Sequence, residues 1–217
     1  MGVSARGSDG GQPGNLGGYE AVVPLREPLT SLTVVTHIRS TLLVSSLATV
    51  REAGLLDRYN DRLAPAARTE MGALLAGAWV RVELAEAHYL ACEALGIPPA
   101  QQFELGRAVG LKIDKTIAAT VLSAAKQMGA TPWIFLSQVG RLYPRLVMGG
   151  AIACYRLAEK EAVLEHHKTP LFQIAYLRNA YRGAIQAICE RFCTKAYVKP
   201  RDASADGMRI SFRVSWA

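Results

Sequence analysis

The chain has 217 residues, half of them apolar and a fifth charged, a globular composition that supports one well-buried core and is short for two ordinary domains. Its formal charge of +7 permits attraction to nucleic acid, anionic lipid or an acidic protein and selects none of them. No window holds the roughly 18 uninterrupted apolar residues of a membrane span: Leu32 to Val50 is broken by His37 and Arg39, and Thr116 to Val139 by Lys126.

From Met1 to Gly18 the chain is Gly-rich and polar, with almost no apolar side chains to offset the cost of ordering, so residues 1–18 are expected to form a disordered tail. This start lacks the charge and apolar stretch of a secretory signal, and a cytoplasmic location is expected. Residues 19–35 read as an irregular lead-in, with Val22, Val23 and Leu25 able to form a short strand or a strap. Helical periodicity then takes over through Ile38, Leu42, Leu43, Leu47 and Val50, stopped by Gly54. A short helix is predicted from Pro65 toward Leu75, and another over Trp79 to Leu95, ended by Gly96. Pro98 and Pro99 open a helix that Phe103 to Met128 continues, with Gly106 and Gly110 forming a low-relief packing notch. Thr131 to Val139 is predicted to be a short helix capped by Thr131, with Pro132 at its first position.

After Gly149 and Gly150 the texture changes. Ala151 to Leu157 and Ala162 to His167 are predicted to form a hairpin across Glu159-Lys160-Glu161. A helix follows Pro170, with Ile174, Leu177, Tyr181, Ile185, Ile188 and Phe192 in one stripe and Arg178, Arg182, Gln186 and Glu190 on another face. Thr194 to Lys199 reads as a strand and Pro200 to Gly207 as a polar loop. In Met208 to Trp216, five apolar residues alternate with Arg209, Ser211, Arg213 and Ser215, the mark of a half-buried strand. The expected fold class is α+β: a single domain over 36–217 whose helical N-terminal half packs on a small antiparallel sheet built by a C-terminal ββαββ unit.

That order of elements, with Leu105-Gly106-Arg107 and the ending Met208-Arg-Ile-Ser-Phe-Arg-Val-Ser-Trp216, resembles a superfamily of haem-NO-binding domains, vinyl-reductase-type domains and core subunits of the TRAPP trafficking complex. Within it the chain is most similar to an uncharacterised myxobacterial paralogous family of about 200 residues. The haem branch implies a histidine in the helical stretch before the sheet and a Tyr-x-Ser-x-Arg motif. This sequence has no histidine between His88 and His166 and no such motif, so no cofactor is expected. The other branches imply a helical pocket for an apolar or mixed ligand, and assembly through helices.

Chemical signatures are sparse. Cys189 and Cys193 near His166-His167 resemble a zinc set, but the usual Cys-x-x-Cys spacing is absent, and all four cysteines, with Cys92 and Cys154, are expected to be free core thiols with no metal. His88 and Cys92 share a helix face without a third group, and Glu83, Glu86 and Glu93 read as a solvated helix surface. Arg209, Arg213, Lys195 and Lys199 are a candidate basic patch for phosphate or an acidic partner. With only Tyr197 interleaved, nucleic-acid binding ranks last. A ligand site is expected among Trp79, Phe103, Trp133, Tyr143, Tyr176 and Tyr181, with His88 or Arg107 as polar anchors. The functional expectation is a non-catalytic regulatory domain that binds an apolar or mixed small molecule or a protein partner in a mostly apolar cleft. A structural subunit assembling through helices, as a homodimer for example, and an enzyme acting on a small molecule stay open.

Overall fold

The computed structural model describes residues 19–117 and 131–217, with side chains for 19–112 and 131–217. The expectations for the tail 1–18 and for the helix beyond residue 117, Lys126 included, lie outside the described residues. The chain opens with β1 (Glu20–Val23), followed by β2 (His37–Arg39), α1 (Ser40–Glu52), α2 (Leu56–Asn60) and α3 (Pro65–Gly72). Next come β3 (Trp79–Arg81), α4 (Val82–Glu93) and α5 (Pro99–Ile117). From residue 131 onward, α6 (Trp133–Leu136) and α7 (Val139–Leu146) lead into β4 (Val147–Met148), β5 (Ala151–Ala158) and β6 (Glu161–His167). A 3-10 turn at Pro170–Gln173, α8 (Ala175–Cys189), β7 (Ala196–Ala203) and β8 (Arg209–Trp216) complete the α+β fold.

The main sheet has the order β1-β5-β6-β8-β7 with antiparallel neighbours throughout. The dry face of β8 is as expected, with Ile210, Phe212, Val214 and Trp216 buried on the side that faces α8, whereas Ser211, read as solvent-facing, is buried on the other side, where its hydroxyl accepts from the Asp202 amide. The predicted ββαββ unit is present, and β1 joins it at the edge of β5, where Glu20 pairs with Arg156. β7 runs past the expected loop boundary at Pro200. It is an edge strand, so the missing N–H of Pro200 costs no ladder bond, and the register shifts between Pro200 and Ala203.

Three local readings need correction. Ile38, Trp79 and Val80 were expected to open helices. They form instead a small sheet of order β3-β2-β4. A strand of three residues is too short for its period to register, and its stability comes from partners 40 and more residues away. Each of β2 and β3 turns straight into a helix, and Ser40 stitches the junction by donating to the Leu75 carbonyl (2.6 Å) and accepting from the Ala78 amide (2.9 Å). Near residue 131, Pro132 rather than Thr131 occupies the cap position, without a side-chain cap bond, and the predicted single helix divides into α6 and α7. The helix after Pro170 begins only at Ala175, its first turn being 3-10.

Two hydrophobic clusters organise the interior. One joins α1 to α5 and takes in Leu43, Val50, Tyr59, Leu84 and Tyr176. The other lies between the main sheet and α8 and takes in Leu164, Ile185, Phe212 and Val214. α5 and α8 cross in near-contact because both carry glycine at the crossing. A Cβ at Gly106 would fall 1.9 Å from the Ala180 carbonyl oxygen, and one at Gly183 only 2.0 Å from that of Phe103. The notch read from Gly106 and Gly110 is therefore the seat of α8. No helix among the described residues is long and apolar enough to cross a membrane.

Candidate functional site

Between the two clusters lies a cavity of about 250 Å3. Its floor is the apolar stripe of α8, where Leu177, Tyr181, Ile185 and Ile188 face inward together with Ala180 and Ala184. The small residues that bring α5 close also expose Gly106 and Val109 on this wall, while α7 closes the far side through Val139, Leu142, Tyr143 and Leu146. Among the described residues no Lys, Arg, Asp or Glu lines it.

Ser46, Gln138 and Thr169 also reach the wall, and its one imidazole among the described residues is His166. On β6 it shares a face with Ala162 and Leu164 and stands opposite Ile152 and Ile210, so it projects from the dry side of the sheet. It lines the cavity within an aromatic cluster: the Tyr181 ring lies edge-on at 5.0 Å and the Phe172 ring at 4.8 Å. Its Nε2 is 2.7 Å from the Tyr181 hydroxyl, and its Nδ1 is buried without a hydrogen-bond partner. Burial pushes the imidazole down to about 3, with His167 adding to the shift, so the ring is neutral. When Tyr181 accepts from Nε2, the free lone pair sits on Nδ1, able to bind a metal or accept a hydrogen bond; when Tyr181 donates, Nδ1 carries the proton and is a free donor. Beside it, Thr169 Oγ1 donates to the His167 carbonyl (3.2 Å), which leaves Tyr143 to donate its hydroxyl to Thr169 (3.2 Å). Burial raises the Tyr143 phenol to about 12.

Of the eight residues singled out as ligand contacts, the structure brings Tyr143 and Tyr181 to this wall. The other six sit elsewhere. Trp79 lies under the Arg39 guanidinium at 4.0 Å, and Phe103 lies under that of Arg182 at 5.7 Å. Trp133 packs edge-on against Trp216 at 5.1 Å and donates its indole N–H to the Glu159 carbonyl. Arg107 ties α5 to the end of α8 through Glu190 at 2.7 Å. Tyr176 is buried beside Tyr89. His88 is fully buried in the helical half, where its Nδ1 meets the Tyr59 hydroxyl at 2.7 Å and its Nε2 the Ser46 hydroxyl at 2.9 Å. Burial lowers His88 to about 3. Ser46 carries this network to the cavity wall. Sequence reasoning missed His166, because β6 is buried on both faces and only the β8–β6 register, which sets His166 opposite Ile210, shows which side it takes.

The remaining chemistry is structural. Cys92 and Cys154 are buried and their thiols are raised to about 12 by desolvation, and Cys189 is raised further for the same reason. No group of His, Cys, Asp and Glu able to hold a metal occurs among the described residues. Glu93 accepts from the amides of Ala175 (2.7 Å) and Tyr176 (3.3 Å), capping α8 from α4. In the basic set, Arg213 is held by Glu161 at 2.7 Å, Arg209 lies 3.7 Å from Glu165, and Lys195 lies 3.5 Å from Glu190. Lys199 stands opposite Arg213 on β7.

No family model and no curated protein matches the sequence. Solved structures do. An Fe(II) unliganded H-NOX protein from K. algicida superposes with a TM-score of 0.62 at 10% identity, covering 83% of this chain and 97% of that one. An oxygen-binding H-NOX domain related to soluble guanylate cyclases, in its oxygen complex, gives 0.57 at 14% identity, covering 82% and 95%. A third structure, described for haem distortion in the H-NOX family, gives 0.58 at 13% identity, covering 82% and 95%. This likeness overturns the expectation that no cofactor is held, because the fold is that of domains described with haem. The expectation rested on the absent helical histidine between His88 and His166 and on the absent Tyr-x-Ser-x-Arg motif; the histidine that the tertiary structure puts on the cavity wall is His166, from strand β6. The chain has the H-NOX fold.

Proposed function

We propose that this chain is a ligand-responsive regulatory domain, that the cavity between its two cores is the ligand site, and that His166 is the group that engages the ligand. The observation that carries the reading is one neutral, buried imidazole, its Nδ1 unpartnered, on a mostly apolar wall without charged side chains among the described residues. A buried unpaired nitrogen costs about 1–3 kcal/mol, and such groups are commonly kept for a task. Filling the void and meeting Nδ1 in one step favours the packing in which the two cores stand as they do here. A ligand with that preference shifts the population toward it.

Haem is the ligand class that the fold brings forward, and the donor chemistry of the wall suits it. His166, Tyr143 and Tyr181 are imidazole and phenol groups, and a side chain of either type would hold haem iron. When bound, haem supplies an iron centre to which a small gaseous ligand can be added. Tyr181 orients the His166 ring through Nε2. The apolar stripe of α8 excludes water from the same space.

The test is titration of the purified protein with haemin, followed by its Soret absorption. A saturable red shift is expected for the wild type and for His37→Ala, which alters a histidine away from the wall. The shift is expected to be lost in His166→Ala with the circular dichroism unchanged. Unshifted haemin with the wild type, or an identical shift with His166→Ala, would refute the haem assignment.

A further inference from the structure

The inner cavity shares a wall with an outer cleft of about 320 Å3, and Tyr143, Val147 and Ile152 line both. The outer cleft lies between the segment Pro24–Thr33 and α7. Tyr143 is the partition: its hydroxyl is so close to Gly150 that a Cβ there would fall 2.6 Å from it, and Gly150 adopts a positive φ of 61° that disfavours any other residue. The two spaces differ in charge. The outer cleft is edged by Arg26 and Glu27, both exposed, whereas the inner cavity carries no charged side chain among the described residues. On the two walls together, Arg26 is the one cation among the described residues.

We infer that the ligand is an amphiphile with one anionic end, a carboxylate or sulfonate, whose apolar body fills the inner cavity and whose anion passes Tyr143 to meet Arg26 in the outer cleft. This rests on the reading of the inner cavity as the ligand site. An anion left inside would be desolvated with no cation to meet it, which is prohibitive. At Arg26 it gains a charge-assisted, fork-shaped pair while staying partly hydrated. Glu27 weakens that attraction.

Two fluorescent probes with the same fused-ring body separate the parts of the proposal: neutral phenylnaphthylamine and anionic anilinonaphthalenesulfonate, each titrated into the full chain. The wild type is expected to bind the anionic probe about fivefold to tenfold more tightly. Arg26→Gln is expected to abolish that advantage and leave the neutral probe unchanged, and Glu27→Gln to tighten the anionic probe alone. Leu142→Phe, which adds bulk inside the inner cavity, is expected to weaken both. Equal binding of the anionic probe by wild type and Arg26→Gln overturns the inference while sparing the cavity reading. Failure of the wild type to bind either probe, or indifference of both to Leu142→Phe, overturns the cavity reading as well. Haemin titrated against Arg26→Gln tells two sources of the anion apart: weaker binding assigns it to a haem carboxylate, and unchanged binding to a free organic acid.

Discussion

At the scale of single residues, the interior is unusual in holding two neutral histidines with opposite bonding. His88 is satisfied on both nitrogens, by Tyr59 and Ser46, whereas His166 is satisfied on one. Both are lowered to about 3, chiefly by desolvation. An unfolded histidine titrates near 6.5, so their contribution to stability is complete above about pH 6.5 and is lost as pH falls toward 3. Each contributes a slope of about 1.4 kcal/mol per pH unit across that window. Urea midpoints are therefore expected to be flat from about pH 8 to 7 and to drop by about pH 5, and a flat profile down to pH 5 would mean that the histidines charge freely in the folded state. His88→Ala is expected to cost about 3–5 kcal/mol, since it strands the Tyr59 and Ser46 hydroxyls and opens a hole. His166→Ala removes a group already short of one partner and is expected to cost less. Chemical denaturation of the two variants side by side checks the order.

At the scale of elements, the crossing of α5 and α8 sets the floor of the cavity. It depends on bare backbone, because any side chain at Gly183 would strike the Phe103 carbonyl, 2.0 Å from the first added carbon. Gly183→Ala is expected to lose about 2–3 kcal/mol as the helices are pushed apart. Gly72, at the end of α3, meets nothing within 4 Å, and Gly72→Ala is expected to gain about 0.5–1 kcal/mol from helix propensity alone. Thermal melts read by circular dichroism separate the two signs, and similar effects from both would remove the steric argument. The same crossing explains why the α8 stripe has two duties. Its apolar residues at helical spacing pack on the sheet at one edge of the stripe and line open space at the other.

At the scale of the whole molecule, two cores meet without filling the space between them. A packed seam would be more stable, so adding bulk there has a definite sign. Leu142→Phe is expected to raise the thermal midpoint by roughly 2–4 °C, equivalent to about 1 kcal/mol in a chain of this size. A lowered midpoint would show that the space is already as full as its walls allow. The net charge of +7 has little focus at the end of the sheet, because Arg213, Arg209 and Lys195 each face a carboxylate. The cation that matters for a ligand, Arg26, comes from the lead-in that composition alone had marked only as irregular.

Periodicity over eight or more residues determined most of what could be known in advance. The alternation of Arg209 to Trp216, the stripe of α8, the hairpin of β5 and β6 and the Gly106 notch are local patterns, and each forms the element it implied. What lay beyond reach depends on distance through space. Three-residue strands such as β2 and β3 have no period and exist only through partners far along the chain. Aromatic residues report burial without saying which interior surface they face, so Trp79, Phe103 and Trp133 pack under arginines while, of the aromatic residues singled out, only Tyr143 and Tyr181 reach the cavity. His166 completes the case. The side it takes on a strand buried on both faces is set by the β8–β6 register, and its role beside an open space is decided by how far apart two separately packed cores come to rest.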